Sequence, residues 1–427
     1  MCLGEFVAIL YHEDRFAASA GSCYNLSRIF VSIWGDILNF GNLYKDLTHA
    51  YTSIPKKLDK QGRAFAPLRV AVVVTHFCNL RCEFCMVVSP ENIERAKKMQ
   101  PHVLTLDEIK SLADQLPRYS IITITGGEPT ARYDFMDIIR YVSKKHKGHF
   151  VTNGTVLNDQ KLAEVISLGA PNLVSSGLMS VGVSIEGPEE MHDRIVKIKG
   201  AFKKTIHTIA VLGEEKRKQK KKYPIVDLKV VITDESIHHL VDIFKMAEER
   251  GANLVSYQVV NNQPSSYGIE GTGDLRAHMK VPPPVRPIDE KLLREVCTEL
   301  QRRSDEHKIT KVRFNPIMPI EDIVDHYNNT PDLDHFTCRV VWSTMHIGPY
   351  GDVFPCFSYN MGNIRKNSLM EIWNGEKYRN FRKQLQQAGI FRGCIGCCMI
   401  SYQQSNGSSN RIINTGGKAV HQIRVSK

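Results

Sequence analysis

The stretch Thr75–Cys85, THFCNLRCEFC, decides the fold that this sequence predicts. It places Cys78, Cys82 and Cys85 at C-x3-C-x2-C spacing, directly after a predicted strand. Three thiolates on one short loop can ligate three irons of a [4Fe–4S] cluster and leave the fourth iron open to another ligand. Zinc is the alternative metal, but it prefers four closed ligands, and no fourth ligand follows here at regular spacing.

Outward from this loop, short apolar strands alternate with amphipathic helices. The predicted strands are Leu68–Thr75, Ser120–Thr125, His149–Thr152, Ser180–Ile185, Val226–Ile232 and Leu254–Val260. The predicted helices between them are Leu106–Gln115, opened by a Thr105/Glu108 capping box, Asp134–Lys145, Asp159–Leu168, Phe202–Lys218 and His239–Arg250. This alternation predicts an α/β fold with a parallel sheet and functional groups at the carboxyl ends of its strands.

Three further motifs follow the next strand ends. Gly126–Pro129 (GGEP) follows the second strand, Thr152–Gly154 (TNG) ends the third, and Ser184–Gly187 (SIEG) ends the fourth. Together with the cysteine loop, they resemble the radical SAM superfamily across roughly residues 66–320. The resemblance implies a partial (β/α)6 barrel, here residues 67–320. It also implies a cluster that cleaves S-adenosylmethionine (SAM) reductively to a 5′-deoxyadenosyl radical.

The same resemblance implies which residues contact SAM. Gly126, Gly127 and Glu128 look like the element that receives the methionine amino group, Asn153 is similar to the ribose-side residue, and Phe84 stands beside the adenine. Ser184 is the expected contact at the fourth strand, where Glu186 replaces the family's usual Asp. Arg194 is either a partner for the SAM carboxylate or an arginine of the helix surface.

A second group of cysteines lies near the C-terminus. Cys338, Cys356 (in G-x4-C from Gly351), Cys394 and Cys397 resemble the auxiliary-cluster domains called SPASM and, in shortened form, Twitch. The resemblance covers about residues 335–400, within a predicted domain 331–403. Four cysteines imply one fully ligated auxiliary [4Fe–4S] cluster, with a four-cysteine zinc ribbon as the alternative. Spacing alone selects Cys397 over Cys398. The remaining cysteines are expected to be bystanders: Cys2, Cys23 and Cys297, the last a buried helical thiol.

A fully ligated auxiliary cluster is suited to accepting an electron rather than to binding a substrate. We therefore expect an oxidoreductase, similar to a dehydrogenase, that abstracts hydrogen from a small molecule or peptide and passes one electron to this cluster. A flavodoxin- or ferredoxin-type protein would donate the first electron. Tyr257, Gln258 and Asn261 near the sixth strand end are candidates to reach the cavity, but the sequence identifies no catalytic base.

Three other functions stay open. A peptide maturase is the first, although residues 1–66 lack the strand triplet of a winged-helix leader-binding module. The guanosine triphosphate cyclase of molybdenum cofactor synthesis is the second, although the chain lacks its C-terminal double glycine. A non-enzymatic iron–sulfur or zinc protein that binds nucleic acid is the third.

Composition sets the remaining expectations. The 427-residue chain has eleven cysteines and no secretory signal, which predicts a cytoplasmic protein with metal ligands rather than disulfides. Much of its net charge of +11 lies in the run 214–222, which we interpret as a solvated helix end or loop, with an acidic partner as the alternative. No interleaved aromatics indicate nucleic acid binding. A helix over Asn25–Thr48, in the extension 1–66, carries an apolar stripe that packs on the core or contacts a membrane surface without spanning it. Pro264–Pro287 is a predicted loop, and residues 404–427 a flexible tail.

Overall fold

The structure, a computed structural model, describes residues 37–88, 90–261, 281–356, 359–403, 409–412 and 422–425. Its internal contacts divide the chain into two units, Met1–Ser53 and Ile54–Lys427. Helix α1, Ile37–Leu58, crosses from one unit to the other and ends later than the predicted Thr48. Lys56 and Lys57 occupy its last turn, where cations interact favourably with the helix dipole. Residues 25–36 of the predicted helix, and the side chains of its apolar stripe, lie outside the described residues.

Seven parallel strands in sequential order form most of the main sheet. The six predicted strands are confirmed, with ends that differ by a few residues. The seven are β1 Arg69–Val73, β2 Ile121–Thr125, β3 Lys147–Thr152, β4 Gly177–Ser184, β5 Ile225–Val231, β6 Leu254–Gln258 and β7 Lys311–Asn315. This strand order is the topology of the predicted partial barrel, with one strand more than expected.

Helices connect the strands and pack on one face of the sheet. They are α2 Pro90–Met99, α3 Leu106–Asp114, α4 Phe135–Lys145, α5 Asp159–Ser167, α6 Glu189–Val196, α7 Ala201–Lys218, α8 Leu240–Glu249, α9 Glu290–Glu306 and α10 Ile320–Tyr327. The predicted capping box opens α3: the Glu108 N–H donates to Thr105 Oγ1 at 3.2 Å, and the Thr105 N–H donates to Glu108 Oε2 at 2.8 Å. Alternate strand residues such as Val72, Ile124 and Phe150 are fully buried under these helices and form the core.

The C-terminal module continues the same sheet. Its elements are β8 Phe336–Thr337, β9 Thr344–Ile347, β10 Asp352–Phe354, β11 Gly362–Asn363, α11 Leu369–Trp373, α12 Glu376–Ala388 and β12 Ser401–Tyr402. Strand β9 pairs in parallel with β1, and β10 and β11 follow antiparallel, so the sheet has ten strands. Helices α11 and α12 are separated by Asn374 and Gly375. There the Asn374 amide exchanges two hydrogen bonds with the backbone of Ala64.

A buried arginine anchors this module. The Arg382 side chain is fully buried, donates from Nε to Val341 O at 2.7 Å and from Nη1 to Gly62 O at 3.1 Å, and lies 4.2 Å from the centre of the Trp373 ring. Burial lowers its pKa to about 10. Arg382 therefore joins the residues after α1 to those after Cys338.

The remaining expectations concern the basic run and the tail. The basic run forms the exposed end of α7, except that Lys216 is buried and donates to Pro224 O at 2.7 Å. Two parts of the predicted tail form an antiparallel pair, β13 Ser409–Ile412 and β14 Gln422–Val425. Most of the predicted loop Pro264–Pro287, residues 264–280, lies outside the described residues. Among the described helices, none is long and apolar enough to cross a membrane.

Candidate functional site

The loop after β1 carries the first three cysteines. Its backbone is fixed to the end of α6, because the Arg81 N–H donates to Val196 O at 3.0 Å and the Glu83 N–H donates to Ile195 O at 3.1 Å. Leu80 is buried in a small cluster with Val196 and Ala201, and Cys78 and Cys82 pack against that cluster. The structure thus holds Cys78, Cys82 and Cys85 on one anchored loop at the carboxyl end of β1.

The chemistry of these three thiols fits an iron–sulfur cluster. Burial raises the pKa of Cys78 to about 11 and that of Cys82 to about 12. The nearby charge of Cys85 contributes to both increases. Buried neighbouring thiols of this kind ionise when a metal supplies the compensating charge. Among the described residues, no group of three His, Cys, Asp or Glu side chains is placed to hold a single metal ion. In a cubane each cysteine binds a different iron, so the three sulfurs need not converge on one ion.

Gly126 and Gly127 lie directly against the cysteine loop. The Gly127 N–H donates to Thr75 O and the Glu128 N–H donates to Phe77 O, both at 2.8 Å. A Cβ atom on Gly127 would lie 2.2 Å from Phe77 O, and one on Gly126 would lie 2.4 Å from Thr75 O. The sequence predicts that these glycines allow a close approach to SAM. The structure adds that they allow the close approach of the loop that carries the cysteines.

Glu128 is buried and links two strand ends. Its carboxylate accepts from Thr130 N at 3.0 Å, from Thr152 Oγ1 at 2.8 Å and from Asn153 N at 2.7 Å. Burial raises the pKa of Glu128, and these hydrogen bonds oppose the rise. The side chain therefore positions Asn153 at the end of β3.

Asn153 belongs to a polar group beside the cysteine loop. Its Nδ2 donates to Asn79 Oδ1 at 2.9 Å, and its Oδ1 accepts from Thr155 Oγ1 at 2.7 Å. Asn79 Nδ2 donates to Thr155 Oγ1 at 2.8 Å, which closes the group. The sequence analysis missed Asn79 and Thr155. Their positions in the sequence could have indicated them, because Asn79 is next to Cys78 and Thr155 follows the TNG motif.

The other predicted SAM contacts are more scattered. Ser184 is the last residue of β4, at the same edge of the sheet as the cysteine loop. Glu186 follows it, burial raises its pKa to about 7, and its charge acts on Cys82 and Cys85. Phe84 is 57% exposed on the cysteine loop. Arg194 is half exposed on α6 and forms an ion pair with Glu235.

The three residues near the end of β6 do not share one face. Tyr257 is fully buried and donates from its hydroxyl to Leu240 O at 2.8 Å, so it points into the helical layer and not into the cavity. That expectation was wrong, because strand residues alternate between faces. Gln258 is therefore on the opposite face and is half buried, and Asn261 is half buried in the loop that follows.

The C-terminal cysteines converge from three separate segments. Pairing of β8 with β12 brings Cys338 next to the turn of Cys394 and Cys397, and Cys356 follows β10. Burial raises the pKa of Cys394 far above its usual value, and the nearby Cys338, Cys397 and Cys356 raise it further. The four predicted auxiliary ligands therefore lie together. Cys297 is fully buried in α9, as expected, and Cys2 and Cys23 lie outside the described residues.

Cys397 and Cys398 differ in the charges that act on them. Burial raises the pKa of Cys397, and the charges of Cys398, Cys338 and Cys356 raise it further. Burial also raises the pKa of Cys398, whereas a backbone hydrogen bond and the charge of Lys229 on β5 lower it. The choice of Cys397 over Cys398 as the ligand stays a prediction.

Comparisons with known proteins agree with these two cysteine sites. Residues 72–247 match the family model of the radical SAM superfamily, and residues 338–398 match that of the SPASM iron–sulfur cluster-binding domain. PqqA peptide cyclase from Bradyrhizobium diazoefficiens is 26% identical over 330 residues, 74% of this chain and 75% of the relative. AdoMet-dependent heme synthase from Methanosarcina barkeri is 26% identical over 357 residues, 79% of this chain and 93% of the relative. The crystal structure of Streptococcus suis SuiB bound to precursor peptide SuiA shares the fold, with a TM-score of 0.52 and 16% identity over 79% of this chain and 72% of that chain.

Proposed function

We propose that this chain oxidises a C–H site of a peptide. The premise is that the chain belongs to the radical SAM superfamily and carries a C-terminal SPASM domain. The family implies a [4Fe–4S] cluster with SAM, and the SPASM domain implies auxiliary iron–sulfur clusters. When bound, these groups supply reductive SAM cleavage, hydrogen abstraction and a route for one electron. A flavodoxin- or ferredoxin-type electron donor is part of the proposal.

The arrangement of the C-terminal cysteines carries the proposal of oxidation. Four thiols, Cys338, Cys356, Cys394 and Cys397, lie together, which is the full ligand set of a [4Fe–4S] cluster. With every iron ligated by protein, such a cluster has no open position for a substrate and is suited to accepting an electron. These residues therefore support an electron acceptor.

The proposal of a peptide comes from the relatives. One is named as a peptide cyclase, and the similar SuiB fold was solved with a precursor peptide. Hydrogen transfer tests it directly: the holoenzyme, SAM and dithionite are mixed with extracts of deuterium-grown cells, separated by size into peptides and small molecules. Deuterium in 5′-deoxyadenosine from the peptide fraction is the expected result. Deuterium from the small-molecule fraction alone would contradict a peptide substrate.

The residues of the first site have separate roles in this proposal. Cys78, Cys82 and Cys85 hold the first cluster. Gly126–Glu128 position the loop of these cysteines and line the SAM site at the end of β2. The polar group around Asn153 borders the same loop. Phe84, Ser184 and Arg194 stay predictions as SAM contacts.

Iron analysis of cysteine variants tests the two sites. The reconstituted protein is expected to carry about eight irons, and replacing Cys338, Cys356, Cys394 and Cys397 together to leave about four, since each [4Fe–4S] cluster holds four. That variant is expected to form 5′-deoxyadenosine without completing product, whereas Cys78→Ala forms none. Cys398→Ser is the matched control and keeps about eight irons. About one zinc with only about four irons in the wild type would indicate a structural zinc site instead.

A further inference from the structure

The sheet has an accessible face opposite its helices. Along β3, fully buried residues that face the helical layer alternate with half-buried ones, which include His149. On β5 the half-buried Lys229 lies between the fully buried Leu228 and Val230. Because strand side chains alternate between faces, His149 and Lys229 line the interior of the partial barrel.

Two cations, Lys229 on β5 and Arg313 on β7, meet at Asp227 in this interior, and a third, Arg69, is the exposed first residue of β1. Burial holds the pKa of His149 well below its usual range, and the positive charges of Lys229 on β5, Arg69 on β1 and Arg313 on β7 lower it further. His346 on β9 is held neutral in the same way, since burial and Arg69 lower its pKa to about 4. Neither histidine therefore contributes charge to the interior at neutral pH.

One carboxylate opposes these cations. Asp227 Oδ2 accepts from Lys229 Nζ at 2.7 Å and from Arg313 Nη2 at 2.8 Å, and Asp227 Oδ1 accepts from Ser256 Oγ at 2.6 Å. Two cations and one carboxylate leave these three groups with a net charge of +1 (2 − 1). The Asp227 side chain is only 4% exposed, against 26% for Lys229 and 38% for Arg313. The open space is therefore lined by the cations and not by the carboxylate.

The position of Lys229, Arg313 and Asp227 fits a substrate site. Lys229 is in register with Ser184, at the strand edge that also carries the first cysteine loop. The turn that holds Cys394 and Cys397 lies against the end of β6, because a Cβ on Gly396 would lie 3.0 Å from Val260 O, and β6 pairs with both β5 and β7. A substrate that loses hydrogen at one centre and an electron to the other has to lie between the two.

We propose that Lys229 and Arg313 bind a carboxylate of the substrate, so that the substrate class is an acidic peptide or another carboxylic acid. That the bound carboxylate belongs to the substrate rests on the proposed function. A carboxylate is favoured because both cations already converge on a carboxylate oxygen, and the guanidinium fork matches that planar group. Arg313 Nε is buried and, among the described residues, has no hydrogen-bond partner.

Binding of small probes to the oxidised, SAM-loaded holoenzyme tests the site by saturation-transfer NMR. N-acetylglutamate amide is expected to bind, and its neutral glutamine counterpart is not. Lys229→Met and Arg313→Met are expected to weaken the acidic probe at least tenfold, while iron content and SAM affinity stay at wild-type values. Asp227→Asn removes the internal competitor and is expected to tighten the acidic probe, a gain that misfolding cannot imitate.

Lys245→Met, an exposed lysine on α8, is the matched control for loss of one charge and is expected to change nothing. Equal binding of both probes, or unchanged affinity in Asp227→Asn, would overturn the proposal. Tighter binding of inorganic phosphate than of the acidic probe would overturn the choice of a carboxylate. Loss of SAM affinity in Lys229→Met would assign the cations to SAM instead. Failure of SAM cleavage with intact probe binding would refute the proposed function and not this site.

Discussion

Replacing Gly127 with alanine tests how the GGEP motif supports the cysteine loop. The new Cβ would lie 2.2 Å from Phe77 O and 2.7 Å from His76 O. Real Cβ contacts stay beyond 3.0 Å, so the loop backbone has to retreat by at least 0.8 Å (3.0 − 2.2). Overpacking of this kind costs about 1–3 kcal/mol. Losing the Gly127-to-Thr75 hydrogen bond adds about 1 kcal/mol.

Because the retreat moves the loop that holds Cys78, we expect Gly127→Ala to lower both the iron bound at the first site and the affinity for SAM. A cost of about 1.4 kcal/mol corresponds to a tenfold loss of affinity, so a loss of at least tenfold is expected. Anaerobic SAM titration and iron analysis of the reconstituted protein measure the two effects. Gly348→Ala is the control, since its Cβ would meet no atom closer than a ring carbon of Phe354 at 3.3 Å, and the nearest backbone atom, Asp352 O, would lie at 3.6 Å. Wild-type iron content and SAM affinity in Gly127→Ala would refute the reasoning.

Two further predictions concern stability. Arg382→Met leaves the carbonyls of Val341 and Gly62 without their donor, and we expect a loss of about 1–3 kcal/mol in urea unfolding; an unchanged midpoint would show that Arg382 is dispensable. Burial lowers the pKa of His326 from 6.5 to about 4. As the pH falls, this histidine is therefore protonated in the unfolded chain before it is protonated in the folded chain. The free energy of unfolding consequently falls as the pH falls from about 6.5 towards 4. His326→Gln is expected to flatten this dependence, by about 2 kcal/mol between pH 7 and pH 5. Parallel curves for wild type and His326→Gln would contradict the assignment.

The sequence was most informative where a local pattern had one physical cause. The Thr105/Glu108 capping box and the apolar parallel strands could be predicted because each depends on neighbouring residues. Strand β7 was missed because Lys311 and Arg313 alternate with its apolar residues, and a strand beside a cationic interior lacks the continuous apolar run of a fully buried one.

The candidate site divides in the same way. The resemblance to SPASM and Twitch domains was enough to group the four auxiliary thiols, and the charges of the other three act on Cys394. The contact of Gly127 with Phe77 O, the turning of Tyr257 into the helical layer and the pairing of Arg194 with Glu235 depend on segments far apart in the chain. No local sequence pattern indicates contacts between such distant segments, so these three features could be identified only in the folded structure.

The parallel pairing of β9 with β1 has a consequence for any attempt to express the barrel alone. Strand β1 lies between β2 and β9, and it leads directly into the loop of Cys78. A chain cut before residue 331 would expose β1 as an edge strand, with apolar residues such as Val70 and Val72 and a row of unpaired N–H and C=O groups. Such an edge recruits other chains into intermolecular sheets. The auxiliary module therefore also protects β1 from aggregation, and truncated barrels are expected to precipitate before their cluster can be assembled.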